Sequence, residues 1–297
     1  MPSRNADDMS TVPKMLFAGA ALAFGVTPFA ADAQQFPPDQ RPEMATEVAA
    51  PHYADLAPLV IAAPLILDAT IRSTVTINGP EAAGVDPGFI RLYVQADVNA
   101  LIRGTTGVPP RIGYLVDLPA DARGRAPRLK KVRVLLFARP VAGRPAQLQL
   151  VAKDAQRRWT PAAEQLTRRI AQETVQPDQP PEITGIGNAF HVAGSLPGEG
   201  ETQIFLTTKD NRPVSLDILR RPGQQPRWSV ALSDVTDAAA QAPQRDTLLW
   251  YRLACFLPRQ LPDSSVAGSA PQDADAARAD YQFVLQSLGP CDTRKAY

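Results

Sequence analysis

Histidine and cysteine are nearly missing from this chain of 297 residues: it has two of each, His52 and His191, Cys255 and Cys291. Histidine is the commonest metal ligand and the usual proton shuttle near neutral pH. A zinc site built on several histidines is therefore excluded, and pairing of the two cysteines would remove thiolate ligation as well. A calcium loop needs acids at fixed alternate spacing around a glycine; Asp273 and Asp275 offer a fragment, which reads as acid at the start of a helix. No G-K-[ST] phosphate loop occurs, and Gly185-Ile186-Gly187 lacks the third glycine of a dinucleotide fingerprint because position 190 is Phe190. No metal and no cofactor are expected, and no motif names a reaction.

An excess of charge of one sign is lacking too. The chain carries 31 basic and 30 acidic residues, a formal charge of +1. Such a balance gives no field for capturing nucleic acid or an anionic membrane surface. No apolar run is long enough for a confident spanning helix, which needs roughly 20 residues, so no stable membrane span is expected once the leader is removed.

That leader is the clearest positive signal. Lys14 precedes a charge-free stretch from Met15 to Ala31, and Ala31-Asp32-Ala33 puts small residues at the alternate positions a signal peptidase reads, with cleavage between Ala33 and Gln34. Asp7 and Asp8 dilute the usual positive start, so Met9 competes with Met1 as the true first residue. No cysteine follows the cleavage point, so a lipoprotein anchor has nothing to attach to. Removing residues 1 to 33 takes out two basic and three acidic groups, leaving 29 against 27. The mature chain is expected in the periplasm or outside a bacterial cell, where Cys255 and Cys291 would pair and staple a loop of about 36 residues.

Thirty prolines divide the rest into short elements. Residues 34–57 read as a proline-rich, flexible leader. A β-rich domain with a helix is expected over 58–176. Leu67, Ala69 and Ile71 alternate with Asp68, Thr70 and Arg72, and Ile90, Leu92, Val94 and Ala96 repeat the pattern. Shorter strands follow at 112–118, 132–138 and 147–152, then a helix capped by Thr160 with Pro161 at its first position. Prolines 177, 180 and 181 mark a boundary. A β-meander with two helices is expected over 183–297: strands at 183–192, 203–207, 214–219 and 228–232, then helices from about Thr247 and Asp273. The fold class expected is α+β, mainly antiparallel. The element order of the first half resembles a five-stranded barrel of the OB type, in layout alone; a sandwich would produce the same string.

Candidate site residues are few. His191 has Ser195 four residues on, the minimum for a serine-type hydrolase, provided a carboxylate stands behind the imidazole. Arg220, Arg221 and Arg227 flank Trp228, and arginine beside tryptophan can stack or fork onto an anion; Arg157-Arg158-Trp159 echoes the pattern. The expectation is a non-enzymatic binding or scaffold module that meets a protein or small ligand in the cell envelope, with the hydrolase as the alternative.

Overall fold

The computed structural model describes residues 51–105, 107–232 and 241–291. The export leader, the Ala33–Gln34 junction and residues 34–50 lie outside the described residues. The described chain belongs to one compact unit, Ala49–Tyr297.

Alternating apolar residues build a closed barrel from β1 (Leu65–Thr76), β2 (Phe89–Arg103), β3 (Arg111–Pro119), β4 (Arg133–Val141) and β5 (Arg144–Leu150). The order is β1-β2-β3-β5-β4, and β4 pairs back onto β1 from Leu65↔Ala138 to Thr70↔Arg133, which closes the ring. The first half is thus a barrel and not a sandwich. Four seams are antiparallel; the fifth, between β3 and β5, is parallel. A short β6 (Gln156–Arg158) adds to β4. Leu67, Ile71, Leu92, Val94, Ile112, Tyr114 and Leu136 fill the interior.

Successive strand residues point to opposite faces, and β4 uses both. Val134, Leu136 and Ala138 enter the barrel, whereas Leu135 and Phe137 join a second core outside it with Ile66. That core is covered by α1 (Tyr53–Ala62) and α2 (Pro161–Glu173). Tyr53 to Ala57, read from sequence as the end of an extended leader, are instead the first turns of α1, with Tyr53, Leu56, Ala57 and Val60 buried. Their three-and-four spacing is a helical stripe that the surrounding prolines obscure. Arg103 donates to the carbonyls of Val60 (2.6 Å) and Ala171 (2.9 Å) and so holds the C-terminal turns of both helices to the barrel.

Asp68, on the polar side of the β1 alternation, is nonetheless buried, on the same side of the strand as Ile66 of the outer core. Asp68 is 1% exposed and accepts from Arg133 Nε (2.9 Å), Arg133 Nη2 (2.6 Å) and Asn99 Nδ2 (3.0 Å). Burial pushes its carboxyl up, but the bonds from Arg133 and Asn99 outweigh it and hold the group below the usual carboxylate range.

A second sheet of β7 (Ile183–Ala193), β8 (Gly200–Thr208), β9 (Val214–Arg220) and β10 (Arg227–Ala231) is antiparallel throughout, in the order β10-β9-β8-β7. Asn211 turns between β8 and β9 with φ +59°, a conformation asparagine tolerates. Ala189, Ile204, Leu216 and Ile218 share the outer core with Ala277, Tyr281 and Val284 of α4 (Pro271–Leu288) and with α3 (Leu248–Ala254). Trp250 Nε1 donates to the Leu288 carbonyl at 2.9 Å. Cys255 and Cys291 form a disulfide with their Cα atoms 5.1 Å apart. The chain between α3 and α4 returns past β7 through a 3₁₀ turn at Asp263–Val266, which lets the two helix C-termini meet at the bridge. No described helix is long and apolar enough to cross a membrane.

Candidate functional site

The parallel seam of the barrel is short. β3 pairs with β2 along its whole length, Phe89↔Pro119 to Asp97↔Arg111, but pairs with β5 only at Gly113↔Gln147 and Tyr114↔Leu148. Beyond Tyr114 the two strands part, and a cavity of about 620 Å³ lies there. Its wall includes four consecutive residues of β3, Tyr114 to Asp117, and four of β5, Gln147 to Leu150. Neighbours along a strand face opposite ways, so a cavity touched by every one of them opens between strand edges. It is a breach between strand edges that stops short of the barrel interior, where Tyr114, Val116 and Leu148 stay buried.

The rim is polar and partly braced. Arg91 donates to Asp117 through Nε and Nη2, both at 2.8 Å, and through Nη1 to the Glu81 carbonyl at 3.1 Å. The guanidinium holds the Asp117 carboxyl below the usual carboxylate range. Lys153 reaches Asp86 at 2.5 Å. Both contacts anchor the β1–β2 loop over the opening. Gln147 Nε2 donates to Tyr93 Oη at 2.9 Å, and Tyr93 can cross β3 to meet it because position 113 is glycine. A Cβ there would stand 2.2 Å from the Tyr93 hydroxyl. Arg144 lines the cavity and has no ion-pair partner among the described residues.

A second polar cluster lies between the second sheet and α4. Asp280 is fully buried; it accepts from Arg220 Nε through Oδ1 and from the Thr202 hydroxyl through Oδ2. With its proton directed at Asp280, the Thr202 oxygen accepts from His191 Nδ1 at 2.8 Å. Neutral His191 therefore keeps its proton on Nδ1. Nε2 has no protein hydrogen-bond partner among the described residues, and the side chain is 9% exposed. The ring lies over Gly200, where a Cβ would stand 2.7 Å from Cε1.

No protein family matches this chain, and no curated relative matches it.

Of the residues singled out from sequence, His191 and Arg220 come together, through Asp280. The hydroxyl near His191 belongs to Thr202. Ser195 is exposed in the turn between β7 and β8, with no hydrogen bond to His191 among the described residues. Arg221 and Arg227 flank a small recess of about 60 Å³ at the β9–β10 turn. Trp228 packs half-buried against the outer core beside Ile218. At Trp159 the stacked cation is Arg133, 3.5 Å above the ring, rather than either neighbour in sequence. Asp280 carries no motif that marks it in the sequence, because its partners lie on distant strands. Its place on the apolar stripe of α4, three residues after Ala277 and four before Val284, is the signal that could have found it. The breach left no such signal, since pairing length is not written in any single strand. Among the described residues no three His, Cys, Asp or Glu side chains gather as a metal site.

Proposed function

We propose that this chain is an exported binding module of the cell envelope and that its ligand seats in the breach between β3 and β5. The observation that carries the reading is the 620 Å³ opening bounded by both strand edges. It is the kind of concave, mixed polar and apolar place in which ligands are held. Export to the periplasm or beyond follows from the leader, and the disulfide agrees with an oxidising compartment. The partner is an envelope protein or a small ligand, and the protein works by holding it.

The test has two parts. N-terminal sequencing of secreted material should begin at Gln34; recovery of the uncleaved chain from the cytosol removes the placement. Backbone amide NMR of the mature chain, titrated with soluble envelope extract, should shift Leu115 to Asp117 and Gln147 to Leu150. Shifts confined to the second sheet would move the seat elsewhere.

The hydrolase reading draws support from one observation, the Asp280 carboxylate 3.8 Å behind His191. The hydroxyl in contact with the imidazole is that of Thr202, which is fully buried and donates its proton to Asp280. Full retention of function by His191→Ala ends that reading.

A further inference from the structure

We infer, resting on the seat proposed above, that the ligand is an extended polypeptide that adds as a strand to the open edge of β3 and sets an acidic side chain against Arg144.

Every strand residue presents its backbone N–H and C=O sideways, alternately to one neighbour and the other. β3 satisfies β2 from Arg111 to Pro119, whereas the ladder to β5 stops at Tyr114↔Leu148. From Leu115 to Pro119 the other edge of β3 therefore has no strand beside it among the described residues. Five residues at roughly 3.3 Å each make an edge of about 16 Å, long enough to template a strand of similar length. Exposed edges of this kind are usually blunted by bulges or by unpaired charges. The β2–β3 register runs without a bulge, and the one charge on this edge, Asp117, is tied to Arg91. Pro119 ends the edge and sets a limit to the added strand.

Side chains on an added strand would alternate between the two sides of the breach. One side offers Leu115, 50% exposed on the outer surface. On the other side Val116 and Leu148 are buried in the barrel core, so the added strand meets that side through its backbone. A small-molecule or sugar ligand would use the polar rim and leave the backbone edge unpaired; a peptide uses both. The charges choose the sign of the partner. Arg91 is balanced by Asp117 and Lys153 by Asp86, which leaves Arg144 uncompensated at the Tyr114 end among the described residues.

Heptapeptides selected from a random phage-displayed library on the full mature chain, then synthesised with capped ends, supply the probe. The expected result is an acid-bearing peptide that shifts the amides of Leu115, Val116 and Asp117. N-methylation at alternate residues should weaken it at least roughly fivefold per site, the worth of about one net backbone hydrogen bond, while N-methylation at the intervening residues leaves it unchanged. Arg144→Glu, on an exposed position, should also weaken it about tenfold. Failure to select any peptide that shifts these amides, or insensitivity to N-methylation at every residue, overturns the strand. A uronic-acid hexasaccharide that shifts the same amides when no peptide does would keep the seat and sink the peptide; silence of these amides to both probes and to envelope extract would sink the seat as well.

Discussion

The barrel and the second sheet bury their apolar faces by different means. The barrel closes on itself, its interior is apolar, and its weakness is a seam where backbone pairing runs out. The second sheet stays open and needs α4 laid across one face, and α4 brings an acid into that contact, Asp280, with Arg220, Thr202 and His191 around it. The contrast teaches where order comes from in each. The barrel is set by strand register, the second sheet by side-chain bonds and a covalent tie.

Cutting that tie should have the largest effect on the second sheet and its helices. Cys255→Ser with Cys291→Ser should lower unfolding stability by about 4 kcal/mol in the chain-entropy account of a 36-residue loop. Hydrogen exchange should speed up in α3 and α4 while Leu92 to Ala96 keep their protection; uniform acceleration would mean that the two regions rise and fall as one. Asp280→Ala should cost about 3 kcal/mol, near the lower end for a broken buried pair because Arg220 retains a route to water. A chemical denaturation midpoint unmoved by this change would show that the cluster contributes nothing to holding α4 down.

Asp68 holds the barrel's outer wall through a charge. Its native pKa lies below the unfolded value, so its contribution is complete above about pH 4, the ordinary aspartate range, and is lost as pH falls through the native value. Asp68→Asn should cost about 2 kcal/mol at neutral pH, the scale of hydrogen bonds to a charged group, and flatten the acid limb of the stability curve. An unchanged acid limb would put that sensitivity elsewhere. The smallest effect is expected at the breach. Gly113→Ala drives a methyl into Tyr93 and breaks its bond to Gln147 for about 1 kcal/mol, while disturbing ligand binding far more than folding.

Much of the fold was legible in the residues because alternation is local. Thr160 and Pro161 announce α2, and the clean alternation of Val214, Leu216 and Ile218 announces β9. What was not legible depends on partners far away in sequence. The choice of barrel over sandwich rests on β4 returning to β1, and the burial of Asp68 rests on helices that cover its side of the strand. The same holds at the site. His191 and Arg220 stood out by residue type, but the carboxylate that joins them lies 60 residues beyond the arginine.

β4 forms a party wall between two rooms, furnishing the barrel with alternate residues and the outer core with those between. A surface residue that changes has no neighbour to consult, and an ordinary core residue has one set; from Val134 to Ala138 an accommodation on one side presses on the other through the same short backbone. Adaptation by gradual repacking has little room there. Across any collection of functional variants of this chain, those five positions should be among the quietest.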